Sequence, residues 1–136
     1  MFASIFLMLA LATQQPGYVV IVNEANGVGA MSAADLSKVF FKKVNRWSTG
    51  LDAVPVDLPE GAAAREAFNA GVHGKNLGAV RAYWQQQIFS GRGVPPVEKA
   101  TDEQVVAFVR ATPGAVGYVT AGTVLGAGVK RLQVVN

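Results

Sequence analysis

The sequence has no cysteine and only one histidine among its 136 residues. Without cysteine there is no disulfide framework, no thiolate nucleophile and no cysteine-bound zinc or iron–sulfur cluster. A single histidine also excludes the common metal sites that need two or three imidazoles, although a carboxylate site for a hard cation stays open. We predict neither a metal ion nor a cofactor.

Positive charge is in slight excess but is spread thinly. Twelve Lys and Arg residues stand against nine Asp and Glu residues, for a formal net charge of +3, and the basic residues occur singly or in pairs such as Lys42-Lys43. This spacing is too sparse for a nucleic-acid-binding face. The excess mildly favours an acidic ligand, but an ordinary solvated surface is the simpler interpretation.

The first twelve residues form an apolar run without a charged side chain. The run is too short to span a bilayer as a helix, and Ala10-Leu11-Ala12 has the small-x-small pattern of a signal-peptidase site before a polar segment. We therefore predict a signal peptide at 1–12, one domain at 13–136 and a periplasmic or otherwise exported protein with no membrane span after signal removal. Because the run starts without Lys or Arg, an upstream start codon or an uncleaved anchor remains an alternative.

Strand and helix patterns alternate along the rest of the chain. Tyr18–Asn23 is an unbroken β-branched run, typical of a strand buried on both faces, and we expect it at or near the sheet centre. Pro55 within a second strand at 53–58 predicts an edge position or pairing at one end only. Two more strands are predicted, at 115–120 and 130–135. Four helices are predicted: one after the Ser32 cap, one at 62–72, one from Leu77 and one after the Thr101 cap. The helix from Leu77 carries Val80, Trp84 and Ile88 on one face. The chain therefore predicts a three-layer α/β domain with a mostly parallel sheet flanked by helices.

The stretch DLPEGAAAREAF, residues 57–68, runs from a strand through a glycine turn into a helix. Such a junction directs free backbone N–H groups and the positive end of the helix dipole toward a bound anion. Five residues of this turn are candidate ligands for a small anion: Gly61, Ala62, Ala63, Ala64 and Arg65. Asn23 and Asn26 follow the first strand, and we expect them at the same edge of the sheet, where open α/β sheets hold ligands. The alternatives are a packed strand–helix corner for the turn and ordinary turn formers for the two asparagines.

Other chemistry-bearing side chains do not indicate catalysis. His73 lies in a glycine-flanked loop and is predicted at the surface. Tyr118 is predicted to pack within a strand, with its hydroxyl reaching the sheet edge. Ser48, Asp57 and His73 are the residue types of a catalytic triad, but no nucleophile-elbow sequence surrounds Ser48. We therefore predict no catalytic residue and no enzymatic activity.

The order of these segments resembles the second lobe of the phosphate-type periplasmic substrate-binding proteins. The resemblance covers Tyr18 to about Val124 and depends on the order and spacing of several short motifs. These motifs are Val20-Ile21-Val22-Asn23 followed by Asn26, Met31-Ser32 through Leu36 with Val39-Phe40, Trp47 with Gly50, Pro55-Val56, Gly61 to Phe68, Phe89-Ser90-Gly91 with Pro95-Pro96, and Thr112 to Tyr118.

The resemblance implies one lobe of a type 2 periplasmic binding protein, a bilobed protein that clamps an oxyanion such as phosphate and delivers it to an ABC transporter. Family members carry a Ser-Gly-Thr-Arg-like run at the ligand loop and an arginine shortly upstream. Here the matching run is Ala62-Ala63-Ala64-Arg65, and Leu58 stands near the position of the upstream arginine. The hydroxyl ligands are therefore missing, and each lost charge-assisted hydrogen bond costs about 1.5–3 kcal/mol. Arg65 is expected to add only a screened surface charge.

Two functions fit these features. The first is an exported solute-binding domain of the phosphate ABC transporter type, with weakened or altered anion binding. The second is an envelope interaction or sensor module that keeps the fold without a small ligand. The partners implied are phosphate or another small oxyanion, and an ABC transporter permease, another envelope protein or a second copy of the chain.

Overall fold

The computed structural model describes residues 17–136, so the signal peptide predicted at 1–12 lies outside the described residues. The strands are β1 (Tyr18–Asn23), β2 (Ala30–Ser32), β3 (Val54–Asp57), β4 (Val97–Glu98), β5 (Ala115–Thr120), β6 (Val129–Arg131) and β7 (Gln133–Val135). The helices are α1 (Ala33–Phe40), α2 (Ala63–Phe68), α3 (Leu77–Phe89) and α4 (Asp102–Ala111), with a π-helical turn at Asn69–His73 directly after α2. No helix within residues 17–136 is long and apolar enough to cross a membrane.

Five strands form the main sheet in the order β4-β3-β5-β1-β6, and β2 pairs with β7 in a separate two-stranded sheet. β3 runs parallel to β4 and β5, whereas β1 runs antiparallel to both of its neighbours, β5 and β6. The predicted α/β class is confirmed, and the sheet is mixed: four strands run in one direction and β1 runs in the other. The single strand predicted at 130–135 is wrong, because the chain passes through the buried Leu132 from β6 in one sheet to β7 in the other.

The positions of β1 and β3 follow from their residue types. β1 pairs on both sides, as expected for a β-branched run buried on both faces. β3 lies one strand in from the edge, next to the two-residue β4. The Val54 N–H donates to the Gly114 carbonyl beside β5, so the Pro55 nitrogen points to the opposite side, where pairing with β4 begins only at Val56. On the side that faces β4, only the carboxyl end of β3 is paired, so Pro55 needs no N–H donor there.

Helices cover both faces of the main sheet, as the three-layer prediction requires. Successive residues of β5 face opposite layers. The Tyr118 ring stacks on the Phe68 ring of α2, with 4.0 Å between ring centroids, while Gly117 faces α4. A Cβ atom at Gly117 would lie 2.8 Å from Cγ1 of Val105. Glycine at this position therefore lets α4 approach the sheet closely.

Side-chain caps set the start of three helices, α1, α3 and α4. The Ser32 hydroxyl oxygen accepts from the Asp35 N–H at the start of α1, and the Thr101 hydroxyl oxygen accepts from the Gln104 N–H at the start of α4, as predicted. The helix predicted at 62–72 is interrupted. α2 ends at Phe68, and the chain continues as the π-helical turn to Gly74, which has a left-handed φ of 62°.

α3 packs on the domain through a small second cluster of apolar side chains. Val80 and Trp84 are buried against Phe41, which follows the end of α1. Ile88, predicted on the same face of the helix, is 54% exposed. The packed face of α3 therefore ends at Trp84, one turn before the apolar pattern ends.

Candidate ligand site at the carboxyl end of β3

The predicted anion turn lies where β3 ends and α2 begins. β3 and β5 are parallel, so their carboxyl ends meet at one edge of the sheet. Ala62 is the N-cap residue of α2, with extended backbone angles (φ −75°, ψ 129°) and no side-chain cap. The first N–H groups of a helix have no acceptor within the helix, and in α2 they belong to Ala63 and Ala64. The turn therefore offers two amides and no hydroxyl at this edge.

The alanines of the turn differ in where their methyl groups lie. Ala63 is exposed, whereas Ala64 is buried and belongs to the main core. Ala62 is half-buried and packs against that core. A hydroxyl at position 62 could cap the helix and face a ligand, but a hydroxyl at position 64 would enter the core.

Arg65 forms the end of the candidate turn, and its side chain is only 9% exposed. Its Nη1 donates to the Leu58 carbonyl at 2.9 Å and to Oε2 of Glu98 at 3.3 Å. The Nε–H is buried and has no hydrogen-bond partner among residues 17–136. The expectation of a screened surface charge is therefore wrong, because the side chain folds back to join the end of β3 to β4.

Asp57 and Tyr118 form a second polar contact at the same edge. The Tyr118 hydroxyl donates to Oδ1 of Asp57 at 2.7 Å and accepts from the Leu58 N–H at 3.3 Å. Burial raises the pKa of the Asp57 carboxyl, and the nearby Arg65 guanidinium partly offsets this rise. Burial, followed by the negative charge of Asp57, raises the pKa of the Tyr118 hydroxyl. The Tyr118 hydroxyl is at the sheet edge as predicted.

Sequence reasoning missed Asp57 and Glu98 as members of this edge. The available signal was the position of Asp57, which is the last residue of an otherwise apolar strand and directly precedes the candidate turn. Glu98 carried no local signal, because β4 is two residues long and meets Arg65 only through the fold. Arg65 therefore pairs with the Glu98 carboxylate, and its charge also acts on the Asp57 carboxyl.

Asn23 and Asn26 lie at the opposite edge of the sheet, so the expectation that they share an edge with the turn is wrong. The reason is the reversed direction of β1, whose carboxyl end lies beside the start of β5. The Asn23 side-chain amide donates to the Val109 and Arg110 carbonyls at the end of α4, at 2.9 and 3.0 Å, and its oxygen accepts from the Ala25 N–H. The Asn26 side-chain oxygen accepts from the Val28 N–H, and its buried Nδ2 has no partner among residues 17–136.

His73 is half-buried rather than at the surface, which corrects the prediction. The π-helical turn carries its ring against Phe41 and Phe68, with ring centroids 4.3 and 5.3 Å away. Its Nδ1 and the Ser37 hydroxyl oxygen share a hydrogen bond of 2.7 Å. Burial, followed by the positive charges of Arg65 and Lys75, lowers the pKa of the imidazole to about 4.

A groove of about 480 Å³ runs beside the turn, between α3 and β4. Its lining residues are Glu60, Arg65, Arg81, Trp84, Gln85, Ile88, Pro95 and Glu98. Arg81 pairs with Glu60 at 2.7 Å between Nη2 and Oε2, and Arg65 pairs with Glu98 at 3.3 Å. Both guanidinium groups that line the groove are therefore neutralised by carboxylates, which weakens the attraction of the groove for a small anion.

Solved structures of other proteins share this fold. The similar structures include a protein assigned as a phosphate ABC transporter substrate-binding protein with bound phosphate from Clostridium perfringens (20% identity, TM-score 0.67), an ABC-type phosphate transport receptor from Vibrio cholerae (19%, 0.65) and a proposed phosphate binding protein from Planctomyces limnophilus (19%, 0.66). The similarity covers 87%, 87% and 88% of this chain and 44%, 46% and 42% of the respective relatives. The chain thus spans less than half the length of these three proteins.

Sequence comparison gives the family. No curated protein matches the chain significantly. A family model described as a PBP superfamily domain matches residues 16–134, which is most of the chain. We conclude that the chain belongs to the PBP superfamily domain family.

Proposed function

We propose that the chain is an exported solute-binding domain of the phosphate ABC transporter type, with weak binding of inorganic phosphate. The observation that carries the proposal is the turn before α2, where the amides of Ala63 and Ala64 meet the carboxyl ends of β3 and β5. Open α/β sheets hold ligands at this position, and a helix start is a natural anion site. The solved relatives support the same assignment, since their names refer to phosphate binding or transport.

Weak binding follows from the side chains around the turn. Ala62 supplies no hydroxyl, and Arg65 already donates to the Leu58 carbonyl and to Glu98. The helix dipole alone contributes about 0.3–1 kcal/mol at an exposed site. A dissociation constant of 1 mM corresponds to about −4.1 kcal/mol, so we expect a phosphate dissociation constant near or above that value.

The turn lies at an exposed edge of the sheet, where Ala63 is exposed, and a site at an exposed edge gains little from ionic contacts. A partner that excludes water from the turn and adds donors would strengthen binding. This partner could be an ABC transporter permease, another envelope protein or a second copy of the chain.

A second function is an envelope interaction or sensor module without a small ligand. One observation favours it: two apolar side chains at the end of α3 are exposed, Phe89 by 93% and the groove-lining Ile88 by 54%. Large exposed apolar patches mark interaction surfaces. Neither of the two proposed functions includes a catalytic role.

Calorimetric titration of inorganic phosphate into the full chain tests the first function. We expect millimolar binding that Ala62→Ser strengthens several-fold, because a hydroxyl at the N-cap position adds a ligand beside the free amides. The matched control is Ala34→Ser, an exposed position in α1 away from the turn, which should leave binding unchanged. No heat of binding at 10 mM phosphate, for the wild type and for Ala62→Ser, would favour the interaction module.

The export proposal places a signal peptide at 1–12 and the domain at 13–136. N-terminal sequencing of protein recovered from the cell envelope tests this boundary. We expect a mature chain that begins at Thr13. A soluble cytoplasmic protein that retains Met1 would contradict both the boundary and the periplasmic location.

A further inference from the structure

Two buried side chains hold the main chain of Leu58, the first residue after β3. The Leu58 N–H donates to the Tyr118 hydroxyl oxygen at 3.3 Å, and the Leu58 carbonyl accepts from Nη1 of Arg65 at 2.9 Å. Tyr118 belongs to β5 and Arg65 to α2, so two different elements fix the position at which the chain leaves β3. We call these two hydrogen bonds the Leu58 contacts.

Each of the Leu58 contacts is held by a further partner. The Tyr118 hydroxyl has one proton, which it donates to Oδ1 of Asp57 at 2.7 Å, so its oxygen is left to accept from the Leu58 N–H. On the other side, Nη1 of Arg65 also donates to Oε2 of Glu98 at 3.3 Å. Both side chains are therefore fixed by contacts within the protein.

The hydrogen bond from Arg65 closes a short segment of the chain on itself. Arg65 lies seven positions after Leu58, so the bond encloses residues 59–64, which carry the candidate turn. Pro59 has a fixed φ, and its carbonyl accepts from the Ala62 N–H at 2.9 Å. The backbone between Leu58 and the N-cap of α2 therefore has little freedom, and a displacement of Leu58 would reach the first amides of the helix.

We propose that Arg65 and Tyr118 are positioning residues of the anion site: through Leu58 they hold the free amides at the start of α2 in place, and neither side chain is a ligand. The inference deepens the proposed function and rests on it, because the anion is the one proposed there. Tyr118 is fully buried, and the Arg65 side chain is 9% exposed and bonded to Leu58 and Glu98. Arg65 therefore contributes to affinity through the conformation of the turn.

Phosphate titration of the ¹⁵N-labelled full chain, followed by amide chemical shifts, tests the proposal with Tyr118→Phe. This variant keeps the ring that stacks on Phe68 and loses only the hydroxyl. We expect the phosphate dissociation constant to rise about five-fold, the factor that corresponds to one lost hydrogen bond. The matched control is Tyr83→Phe, because the Tyr83 hydroxyl donates to the Phe41 carbonyl and not to the turn. The control should bind phosphate as the wild type does.

Variants of Arg65 provide a second test. Arg65→Met should also weaken phosphate binding about five-fold, and Arg65→Lys, which keeps a donor for the Leu58 carbonyl, should restore most of the loss. The matched control is Arg110→Met, because Arg110 also donates to main-chain carbonyls, those of Leu125 and Ala127. This control should leave phosphate binding unchanged.

The double variant Arg65→Met with Tyr118→Phe separates positioning from direct binding. If both side chains act through Leu58, their effects are coupled, and the double variant should bind phosphate about ten-fold more weakly than the wild type, against about 25-fold for independent losses. Independent losses would overturn the proposal. Unchanged affinity in Tyr118→Phe together with weak binding in Arg65→Met would make Arg65 a ligand and would overturn it as well.

¹⁵N relaxation measured without phosphate separates this proposal from the proposed function. In folded Tyr118→Phe we expect lower order parameters for residues 60–64 than in the wild type and unchanged values in β1, which a general loss of stability would not produce. Lower values in the turn, with no phosphate binding even by the wild type, would contradict the proposed function and leave the Leu58 contacts as the anchor of the turn. Phosphate binding by the wild type, with an unchanged turn in Tyr118→Phe, would overturn the positioning role and leave the proposed function standing.

Discussion

The two edges of the main sheet carry different chemistry, although the sequence suggested that both groups of candidate residues share one edge. The edge at the carboxyl ends of β3 and β5 holds Asp57, Arg65 and Tyr118, which are buried and ionisable. The opposite edge holds Asn23 and Asn26, whose neutral amides bond to backbone groups. The first edge places charged side chains beside the uncapped start of α2. At the second edge, Asn23 caps the carboxyl end of α4.

This difference follows from the direction of one strand. If β1 ran parallel to β5, Asn23 would lie beside the anion turn. Because β1 runs antiparallel, Asn23 lies at the end of α4, where the last carbonyls of a helix lack intrahelical donors. The same asparagine therefore acts as a structural cap instead of a candidate ligand.

The largest expected effect comes from the Asn23 edge. Asn23→Ala removes three side-chain hydrogen bonds, each worth about 1 kcal/mol, so we expect a loss of about 3 kcal/mol in the free energy of unfolding. Urea denaturation measures this loss, with the exposed Asn45→Ala as the matched control. Phosphate affinity should not change in the variant that still folds. A loss below about 1 kcal/mol would mean that Asn23 does not cap α4.

The second-largest expected effect is a loss of stability at low pH that depends on His73. Its pKa in the folded protein is about 4, below the ordinary 6.5, so the unfolded chain takes up a proton first as the pH falls. Stability is therefore lost between about pH 6.5 and pH 4, by about 2 kcal/mol after allowance for partial exposure.

The measurement for His73 is urea denaturation of the wild type and of His73→Phe at pH 7 and pH 4.5. The difference between the two proteins isolates the imidazole from the carboxylates that titrate in the same range. We expect His73→Phe to lose less stability on acidification than the wild type. Equal losses of stability in the two proteins would mean that the His73 imidazole is solvated, as the sequence suggested.

The smallest effect concerns the start of α2. Ala62→Ser supplies the missing cap at an N-cap residue whose backbone is already extended, and we expect a gain of about 1 kcal/mol in the free energy of unfolding. Ala63→Ser, one residue into the helix, is the control and should give no gain. Thermal unfolding measures both. A gain in stability from Ala63→Ser and none from Ala62→Ser would mean that α2 begins one residue later.

Features set by neighbouring residues were predictable from the sequence. The hydroxyls of Ser32 and Thr101 act on N–H groups three residues away, so both helix starts are found where the pattern predicts them. The β-branched run of β1 fixes its burial on both faces. Pro55 limits pairing because it lacks a donor, whatever the topology.

Features set by distant residues were not predictable. The direction of β1 depends on its pairing with β5, nearly one hundred residues later in the chain. The burial of Arg65 depends on Glu98 in β4, and the burial of His73 depends on a π-helical turn that has no periodic signal. The strand, the glycine turn and the helix lie where the sequence predicts them because they are adjacent in the chain, but the environment of Arg65 was not predictable.

The central claim is that any anion bound by a single copy of this chain lies weakly at the start of α2 and not at the Asn23 edge. Titration of ¹⁵N-labelled full chain with inorganic phosphate, followed by amide chemical shifts, tests this claim most directly. We predict shifts that centre on the amides of Ala63 and Ala64 and approach saturation only at about 1 mM or above, the range expected for about −4 kcal/mol. Saturation at micromolar phosphate, or shifts that centre on Asn23 and Asn26 while the turn is unaffected, would contradict the account.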